Sequence, residues 1–248
     1  MPVGDFVAHQ EVLDAALRLL ACRIQALEVV DVAGSGAEIV ASDGELARWT
    51  IRQSQRWSHL LSTTPAASAS ELARSLSNNR AMVERGLRMK SVFDLGGTEA
   101  AVWGLLAAEP GSQDIYFASF APVLMRIVDY RFVLMSGPVG TRSILRLSSP
   151  TAVEAALGYW RAVAAHARPC RDLDGAGEPS RPTVRQTLIL ELLRRGDTDT
   201  QIGSLLSIST RTVQSEVAAL MARYGAGSRF ALGFAYALDS HRGPAADR

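Results

Sequence analysis

The segment from Thr183 to Leu238 constrains the fold of this chain more than any other part of the sequence. Apolar residues recur in it at helical spacing, and short polar or glycine-containing turns interrupt the pattern. Glycine commonly follows the last residue of a helix, and Gly196 and Gly225 stand at two of the interruptions. Four helices are predicted, at residues 183–195, 198–206, 210–224 and from 228 onwards. An all-α four-helix unit follows from this pattern.

The third of these predicted helices has one apolar stripe and one polar face. The stripe consists of Val213, Val217, Leu220, Met221 and Tyr224. Ser209 precedes the helix and is a good N-cap residue, because its hydroxyl can accept a bond from a first-turn N–H. Ile202 and Leu206 allow the second helix to pack across the third, which leaves the polar face outward. A short helix held in this way fits the major groove of duplex DNA.

Candidate DNA contacts lie on the outward face and at the helix ends. The candidates for base edges are Thr210, Arg211, Gln214, Ser215 and Ala218. The candidates for phosphates are Thr198, Thr200, Thr212 and Arg223. Arginine and glutamine can make paired hydrogen bonds to guanine and adenine, and hydroxyls can bond to phosphates. The alternative is that these are ordinary solvated residues, with Arg211 in an ion pair with Asp197 or Asp199.

The segment resembles the LuxR-type (GerE-like) helix-turn-helix family. The residues that carry the resemblance are Leu192, Leu193, Gly196, Ile202, Leu206, Ile208, Ser209, Arg211, Thr212, Val213, Val217, Leu220, Gly225, Ser228 and Arg229. The resemblance implies that the third helix enters the major groove and that the fourth forms a dimer contact. The sequence departs from the family pattern at Gln186, Leu188, Ser207, Gln214 and Glu216. Glu216 is expected either to repel phosphate or to accept a bond from a cytosine amino group.

Bulk properties restrict the class of protein further. The net charge is +1, so any positive surface for DNA must be local. Cys22 and Cys170 have no metal-like spacing, and we expect buried unpaired thiols, with a single disulfide as the alternative. The N-terminus lacks the plan of a signal peptide, and no apolar run reaches the roughly 20 residues of a membrane helix. A cytoplasmic protein without membrane contact is expected.

Helix and strand patterns alternate before residue 168, which predicts an α/β sandwich with a central sheet. The predicted helices lie at 11–32, 69–85 and 151–166, the second with a capping box from Ser68 and Glu71 and an alternative interruption at 77–79. The predicted strands lie at 86–93, 115–120, 123–128, 131–135 and 143–147. Four divisions follow: an α/β sensor or dimerisation domain at 1–167, a linker at 168–182, the helical domain at 183–241 and a flexible tail at 242–248.

The N-terminal region resembles the phospholipase-D-like sensor domain of TrmB-type regulators and many actinobacterial LuxR-type regulators. Residues 80–90 and 121–134 carry this resemblance. The hydrolase version of the domain uses a His-x-Lys-x4-Asp motif. Here Arg88 replaces the histidine, Lys90 is present and Asp94 stands one residue early. A non-catalytic domain with no cofactor and no metal is therefore expected.

The sequence of the N-terminal region lacks the motifs of two other common regulatory domains. Lys90 is the only lysine and lies mid-region, which disfavours a phospho-accepting receiver, and a nucleotide-binding glycine loop with its lysine is absent. Aromatic residues are candidates for a small-molecule effector pocket, although core packing is the alternative for each. These residues are Trp49, Trp57, Trp103, Trp160, Tyr116 and Tyr130.

These observations favour a sequence-specific transcriptional regulator, more specifically an activator. It is expected to bind promoter DNA as a homodimer and to act with RNA polymerase. A ligand-free dimerisation scaffold with constitutive DNA binding is one alternative. An enzyme with a DNA-tethering module is the other, and no complete catalytic constellation supports it.

Overall fold

The structure, a computed structural model, describes residues 3–173, 182–206 and 208–241. The helices are α1 (Val3–Glu28), α2 (Leu46–Ser54), α3 (Ala69–Glu84), α4 (Ala100–Ala107), α5 (Ser112–Ile115), α6 (Pro150–Ala164), α7 (Val184–Arg194), α8 (Asp199–Leu206), α9 (Thr210–Arg223) and α10 (Arg229–His241). The strands are β1 (Ala37–Ser42), β2 (His59–Thr64), β3 (Arg88–Asp94), β4 (Tyr116–Ser119), β5 (Met125–Val128), β6 (Phe132–Ser136), β7 (Ser143–Leu147) and β8 (Arg168–Pro169). Short 3-10 turns occupy Asp43–Glu45 and Cys170–Asp172.

The eight strands form one mixed sheet in the order β1-β7-β6-β5-β2-β3-β4-β8. Strands β2, β3 and β4 run parallel to one another, and the other neighbouring pairs are antiparallel. Parallel neighbours need a crossover, and helix α3 supplies it between β2 and β3, while α4 and α5 supply it between β3 and β4. The sheet therefore has a parallel centre and antiparallel flanks.

Alternation along the strands divides the buried side chains between the two faces of the sheet. Leu61 and Ile127 point to the face that α1 and α6 cover. Their neighbours Leu60 and Val128 point to the opposite face, which α3 and α4 cover. The result is a three-layer α/β sandwich with a core on each side of the sheet, which confirms the predicted α/β architecture of this region.

The turn between β5 and β6 shows how local sequence supports the sheet. Asp129 and Tyr130 have positive φ angles of 51° and 58°, as a tight hairpin turn requires. The Asp129 carboxylate accepts hydrogen bonds from the backbone N–H groups of Ser58 and His59 at 2.8 and 2.7 Å. These bonds help to hold a conformation that is unfavourable for most residues, and they anchor the hairpin to the start of β2.

Several element bounds differ from those expected. The first helix runs from Val3 to Glu28 rather than from 11 to 32, and α3 continues through residues 77–79 without interruption. The β1, α2, β2 and α4 elements were not anticipated. Their segments are short, and in β2 three of the six residues are Ser or Thr. Without a clear apolar period, these segments carry a weak local signal.

The predicted linker at 168–182 begins within regular structure. Arg168 and Pro169 form β8, which pairs with Ala118 and Phe117 of β4, and Cys170 is buried. These residues pair with the free edge of β4. A proline is tolerated there because an edge strand needs fewer backbone donors. Residues 174–181 of the linker and the predicted tail at 242–248 lie outside the described residues.

The four predicted C-terminal helices correspond to α7, α8, α9 and α10, with starts and ends within a residue or two of the expected positions. Thr183 and Gln186 form a capping box at the start of α7. Gly196 and Gly225 adopt φ angles of 90° and 60° just after α7 and α9. Both glycines end their helices in the left-handed conformation, as the sequence predicts.

The C-terminal helices pack directly on α1 of the sandwich. Leu17 of α1 shares a core with Ile189 and Ile202, and Leu206 packs against the core beneath α1 and α6. The guanidinium of Arg23, only 1% exposed, donates from Nε to the Ser136 carbonyl at 2.8 Å, from Nη2 to the Gly137 carbonyl and from Nη1 to the Ser204 carbonyl at 3.3 Å. Arg23 thus links α1, the turn after β6 and the last part of α8.

Candidate nucleic-acid interface

Helices α8 and α9 form a helix-turn-helix in which the turn packs closely on α8. The N–H of Ile208 donates to the Gly203 carbonyl at 2.9 Å. A Cβ added at Gly203 would lie 2.8 Å from the Ile208 carbonyl oxygen, closer than real Cβ contacts allow. Glycine is therefore needed at this position for α8 and the turn to approach each other. The sequence analysis did not single out Gly203. A glycine inside the second helix, five residues before the apolar Ile208 of the turn, is the sequence signal for this close approach.

The predicted apolar stripe fixes the orientation of α9. Val213, Val217 and Leu220 are buried, and Met221 and Tyr224 are half-buried against the same core. At the start of the helix, the Ser209 hydroxyl accepts a hydrogen bond from the Thr212 N–H at 3.1 Å. The cap was predicted and is present. Core and cap together hold the opposite side of α9 in solvent.

The predicted base-edge candidates lie together on that solvent side. Arg211, Ser215 and Ala218 are exposed and follow one another at intervals of four and three residues, which places them on one stripe of the helix. Thr210 and Gln214 are exposed beside this stripe. The Gln214 side chain lies near the Asp199 carboxylate at the start of α8. The structure thus brings all five candidates to one surface.

The predicted phosphate candidates are more dispersed. Thr198 and Thr200 are exposed at the start of α8, where the Thr198 hydroxyl contacts Gln201 Oε1 at 2.8 Å. Thr212 is half-buried, and its hydroxyl lies 2.8 Å from that of Ser209. Arg223 is exposed at the opposite end of α9. The two ends of the motif therefore carry the candidates, while Thr212 is engaged in the capping network.

Ion pairs distinguish the arginines of this segment. Four of them pair with acids: Arg185 with Glu216, Arg194 with Glu191, Arg195 with Glu191 and Asp14, and Arg229 with Asp199. Arg211 and Arg223 make no ion pair or hydrogen bond with a described residue. Both lie on α9, on the solvent side of the motif. The positive charge that is not neutralised within the described residues of this segment is thus concentrated on one helix.

Two charged residues of the motif have surroundings that the sequence did not reveal. Arg211 does not pair with Asp199, because Arg229 binds both carboxylate oxygens of that residue at 2.6 and 2.8 Å. Glu216 faces α7 rather than a groove, since it accepts from Arg185 at 3.3 Å and from Gln186 at 3.0 Å. Arg229, Arg185 and Gln186 come from other helices, so spacing within α9 could not reveal them.

Strand β3 of the N-terminal domain ends in a carboxylate with a structural role. Asp94 is fully buried and accepts bonds from the N–H groups of Gly96, Gly97 and Ala121 at 2.7 to 2.9 Å. Burial raises the pKa of Asp94 to about 6, while these three donors act in the opposite direction. The carboxylate ties the loop after β3 to the loop after β4.

The aromatic candidates for a pocket lie in three different settings. Trp49 and Trp57 line a cavity between α2 and the sheet. Trp160 and Tyr116 are buried in the two cores, Trp103 packs against the second core, and Tyr130 is exposed beside His59. Cys22 and Cys170 are unpaired thiols, as expected.

The docking contacts of Arg23 were missed at the level of sequence. A signal exists, because Val12, Ala16, Leu19 and Arg23 follow one another at helical spacing, so an arginine continues an apolar stripe. Desolvation lowers the pKa of Arg23 to about 10, and it remains charged at neutral pH. Its described acceptors are backbone carbonyls.

Comparison with known proteins agrees with this geometry. Residues 183–233 match the family described as Bacterial regulatory proteins, luxR family (GerE). The match covers α7, α8, α9 and the first part of α10, so the similarity to this family lies in the helix-turn-helix segment. A search of the curated proteins found no match to the chain. Among the described helices, none is both long and apolar enough to cross a membrane.

Proposed function

We propose that the protein is a sequence-specific transcriptional regulator that inserts α9 into the major groove of promoter DNA. The observation that carries this proposal is the placement of Arg211 and Arg223 on the exposed side of α9 of a LuxR-type domain, with no ion pair to a described residue. An α-helix fits the width of the major groove, and arginine is the commonest partner of guanine there. Because the proposed binding site is promoter DNA, binding there would regulate transcription.

Separate roles are proposed for the surface residues of the motif. Arg211 and Gln214 read base edges, and Ala218 allows close approach and contacts a thymine methyl group. Thr210 and Ser215 supply further hydrogen bonds on the same surface. Thr198, Thr200 and Thr212 at the helix starts, and Arg223 at the end of α9, contact phosphates and set the register of the helix.

A dimer through α10 supports this function. Phe230 and Phe234 stand one turn apart on α10 and are 87% and 63% exposed. Two aromatic rings of this kind are unfavourable in water, and a second copy of the helix would cover them. A dimer also doubles the phosphate contacts, which matters for a motif with few free cations. We propose a homodimer on paired half-sites.

The N-terminal sandwich is proposed as the sensor or dimerisation domain, with the phospholipase-D-like resemblance as a further prediction. The regulator is proposed to be an activator that works with RNA polymerase in the cytoplasm. Docking of the C-terminal helices on α1 leaves the DNA side of α9 exposed. The two domains can therefore stay together while α9 meets DNA.

The DNA proposal is tested with a randomised duplex library, because no operator needs to be known. The full chain should enrich a defined motif, and the double variant Arg211→Ala, Gln214→Ala should lose it. The matched control is Gln55→Ala, Arg56→Ala, which removes the same exposed side-chain types from the sandwich. Enrichment of one and the same motif by both double variants would overturn the assignment of the reading face.

The dimer proposal is tested by sedimentation over a range of concentrations. The natural chain should self-associate, and Phe230→Asp, Phe234→Asp should be monomeric with an unchanged helical spectrum. A natural chain that stays monomeric at every concentration would contradict the dimer, while leaving the DNA proposal to its own test.

A further inference from the structure

A cavity of about 330 Å³ lies between α2 and the outer strands of the sheet. Its aromatic walls are Trp49, Trp57 and Phe132, and Glu38, Ile39, Val40, Gln53 and Arg146 complete the lining. Small-molecule sites are typically concave, mostly apolar and of roughly 300–1,000 Å³, with a few polar groups that orient the ligand. The cavity has this size, and its walls combine aromatic rings with a larger share of polar and charged surface than is typical.

Strand register explains why charged and aromatic groups meet here. Arg146 on β7 is directly opposite Glu38 on β1 and Leu134 on β6. Phe132, two residues before Leu134, is the diagonal neighbour on the same face of the sheet. Trp49 and Gln53 stand one turn apart on α2, and Trp57 follows that helix. The sheet therefore supplies the charge pair and α2 supplies most of the aromatic surface.

The guanidinium of Arg146 is only partly satisfied. It stacks 4.6 Å above the Phe132 ring and donates from Nη1 to Glu38 at 2.7 Å. Its Nε is shielded from solvent and has no hydrogen-bond acceptor among the described residues. An acceptor could contact Nε only if the side chain moved, whereas 39% of the Arg146 side chain is already exposed to an external acceptor. Arginine accommodates a carboxylate in a paired arrangement, which is stronger than a neutral hydrogen bond.

A ligand carboxylate can displace Glu38 from its ion pair with Arg146. Its side chain is 54% exposed, so water can solvate it when the pair with Arg146 opens. Exposed ion pairs contribute little net stability, because solvent screens them. A ligand acid that brings an apolar ring into the cavity gains the burial of that ring in addition to the charge contact.

We infer that this cavity binds a planar aromatic carboxylate, with Arg146 holding the acid group and Trp49 and Trp57 packing against the ring. The cavity lies on the sheet face away from α1, so the ligand would occupy the side of the sandwich opposite the docked DNA-reading helices. The inference concerns the sandwich alone and does not depend on DNA binding.

Three naphthalene probes of different charge test the ligand class on the full chain. They are 2-naphthoate, 2-naphthylmethanol and 2-naphthylmethylammonium. The chain has four tryptophans, so fluorotryptophan labelling gives one ¹⁹F signal for each. Substitution of each tryptophan by phenylalanine assigns the signals. Naphthoate should shift the signals of Trp49 and Trp57, leave those of Trp103 and Trp160 in place, and bind more tightly than the other two probes.

Opposite effects of two substitutions test the role of the charge pair. Arg146→Gln should weaken naphthoate binding about tenfold or more, as expected for loss of a charge-assisted hydrogen bond of roughly 1.5–3 kcal/mol. Glu38→Gln should strengthen it, because the competing carboxylate is removed. Arg142→Gln, an exposed arginine in the turn before β7, is the control and should leave the affinity unchanged.

Three results would overturn the inference. The first is binding of the ammonium probe in preference to naphthoate, which would make Glu38 the anchor. The second is an equal shift of all four tryptophan signals, which would indicate nonspecific association. The third is no shift of the Trp49 and Trp57 signals with any probe while the labelled chain remains folded, which would reduce the cavity to a gap in packing.

Discussion

The C-terminal helices present two contrasting sides, one docked on α1 and one turned to solvent. On the docked side Arg23 is buried and donates to three carbonyl oxygens, and Arg195 pairs with Asp14 of α1. On the solvent side the positive groups are Arg211 and Arg223, which bind no described residue. A buried charge needs hydrogen-bond or ionic partners within the protein, whereas water can solvate an exposed charge until an external partner binds it. The docked side fixes geometry, and the solvent side remains available for a ligand.

The contrast also separates structure from proposed function. Arg23 approaches the carbonyl end of α8, where the helix dipole is negative, so a cation is favoured there. Substitutions on the docked side should therefore change folding stability. Substitution of Arg211 or Arg223 should change DNA binding and leave stability within about 0.5 kcal/mol.

Loss of the Arg23 guanidinium should have the largest effect. Arg23→Met retains most of the apolar stem but leaves the Ser136, Gly137 and Ser204 carbonyls without their donor. Unsatisfied buried groups cost about 1–3 kcal/mol each, and water can rescue some of them, so we expect a loss of about 3 kcal/mol. Chemical denaturation measures it. Arg18→Met on the exposed side of the same helix should change stability by less than about 0.5 kcal/mol. Equal stability of the two variants would contradict the role of Arg23.

A methyl group at Gly203 should have the next largest effect. Gly203→Ala places a Cβ 2.8 Å from the Ile208 carbonyl oxygen, so the turn between α8 and α9 must shift. Overpacking of this kind costs about 1–3 kcal/mol. Gly158→Ala is the matched control in α6, where an added Cβ meets nothing within 4 Å. It should stabilise the chain by up to about 1 kcal/mol, because alanine favours a helix. If both variants shifted the melting temperature in the same direction, the close approach would not be limiting.

The N-cap of α9 should have a smaller effect. Ser209→Ala removes the acceptor of the Thr212 N–H and should cost about 1 kcal/mol of stability. Ser209→Asp keeps an acceptor and adds a charge that the helix N-terminus favours, so its stability should equal or exceed that of the natural chain. A drop in stability of similar size with aspartate would show that the hydroxyl acts through some other contact, such as the one with Thr212 Oγ1.

Sequence reasoning succeeded where one period governed a whole segment. The apolar stripe of α9 predicted Val213, Val217 and Leu220 as its buried side, and the strand at 143–147 was placed with its observed bounds. In both cases the packing neighbours bury one face of the element, so its apolar residues recur at one regular spacing. Local pattern is then enough to give the element and its orientation.

Sequence reasoning failed where distant residues satisfy polar groups. Strand β2 was missed because Ser62 and Thr63 interrupt its apolar pattern. In the structure the Ser62 hydroxyl lies 2.7 Å from that of Ser91, and the Thr63 hydroxyl donates to the Val123 carbonyl at 2.6 Å. The same cause explains Arg23 and Glu216, whose partners lie on other elements. Buried polar residues look like surface residues until the fold supplies their partners.

The pair between Asp199 and Arg229 should have the smallest effect and a characteristic dependence on pH. The hydrogen bonds from Arg229 are the main cause that lowers the pKa of Asp199 below its ordinary 3.8. An acid with a lowered folded-state pKa stabilises the fold at neutral pH, and this contribution disappears as the pH falls through and below the ordinary value. Asp199→Asn should therefore cost about 0.5 kcal/mol at pH 7, because solvent screens the pair, and nothing at low pH. Asp172→Asn, which breaks a looser exposed pair with Arg171 at 3.7 Å, serves as the control and should have no measurable effect at either pH. A deficit for Asp199→Asn that is the same at pH 7 and at low pH would mean that packing at the start of α8, and not the charge of Asp199, stabilises the solvent side of the motif.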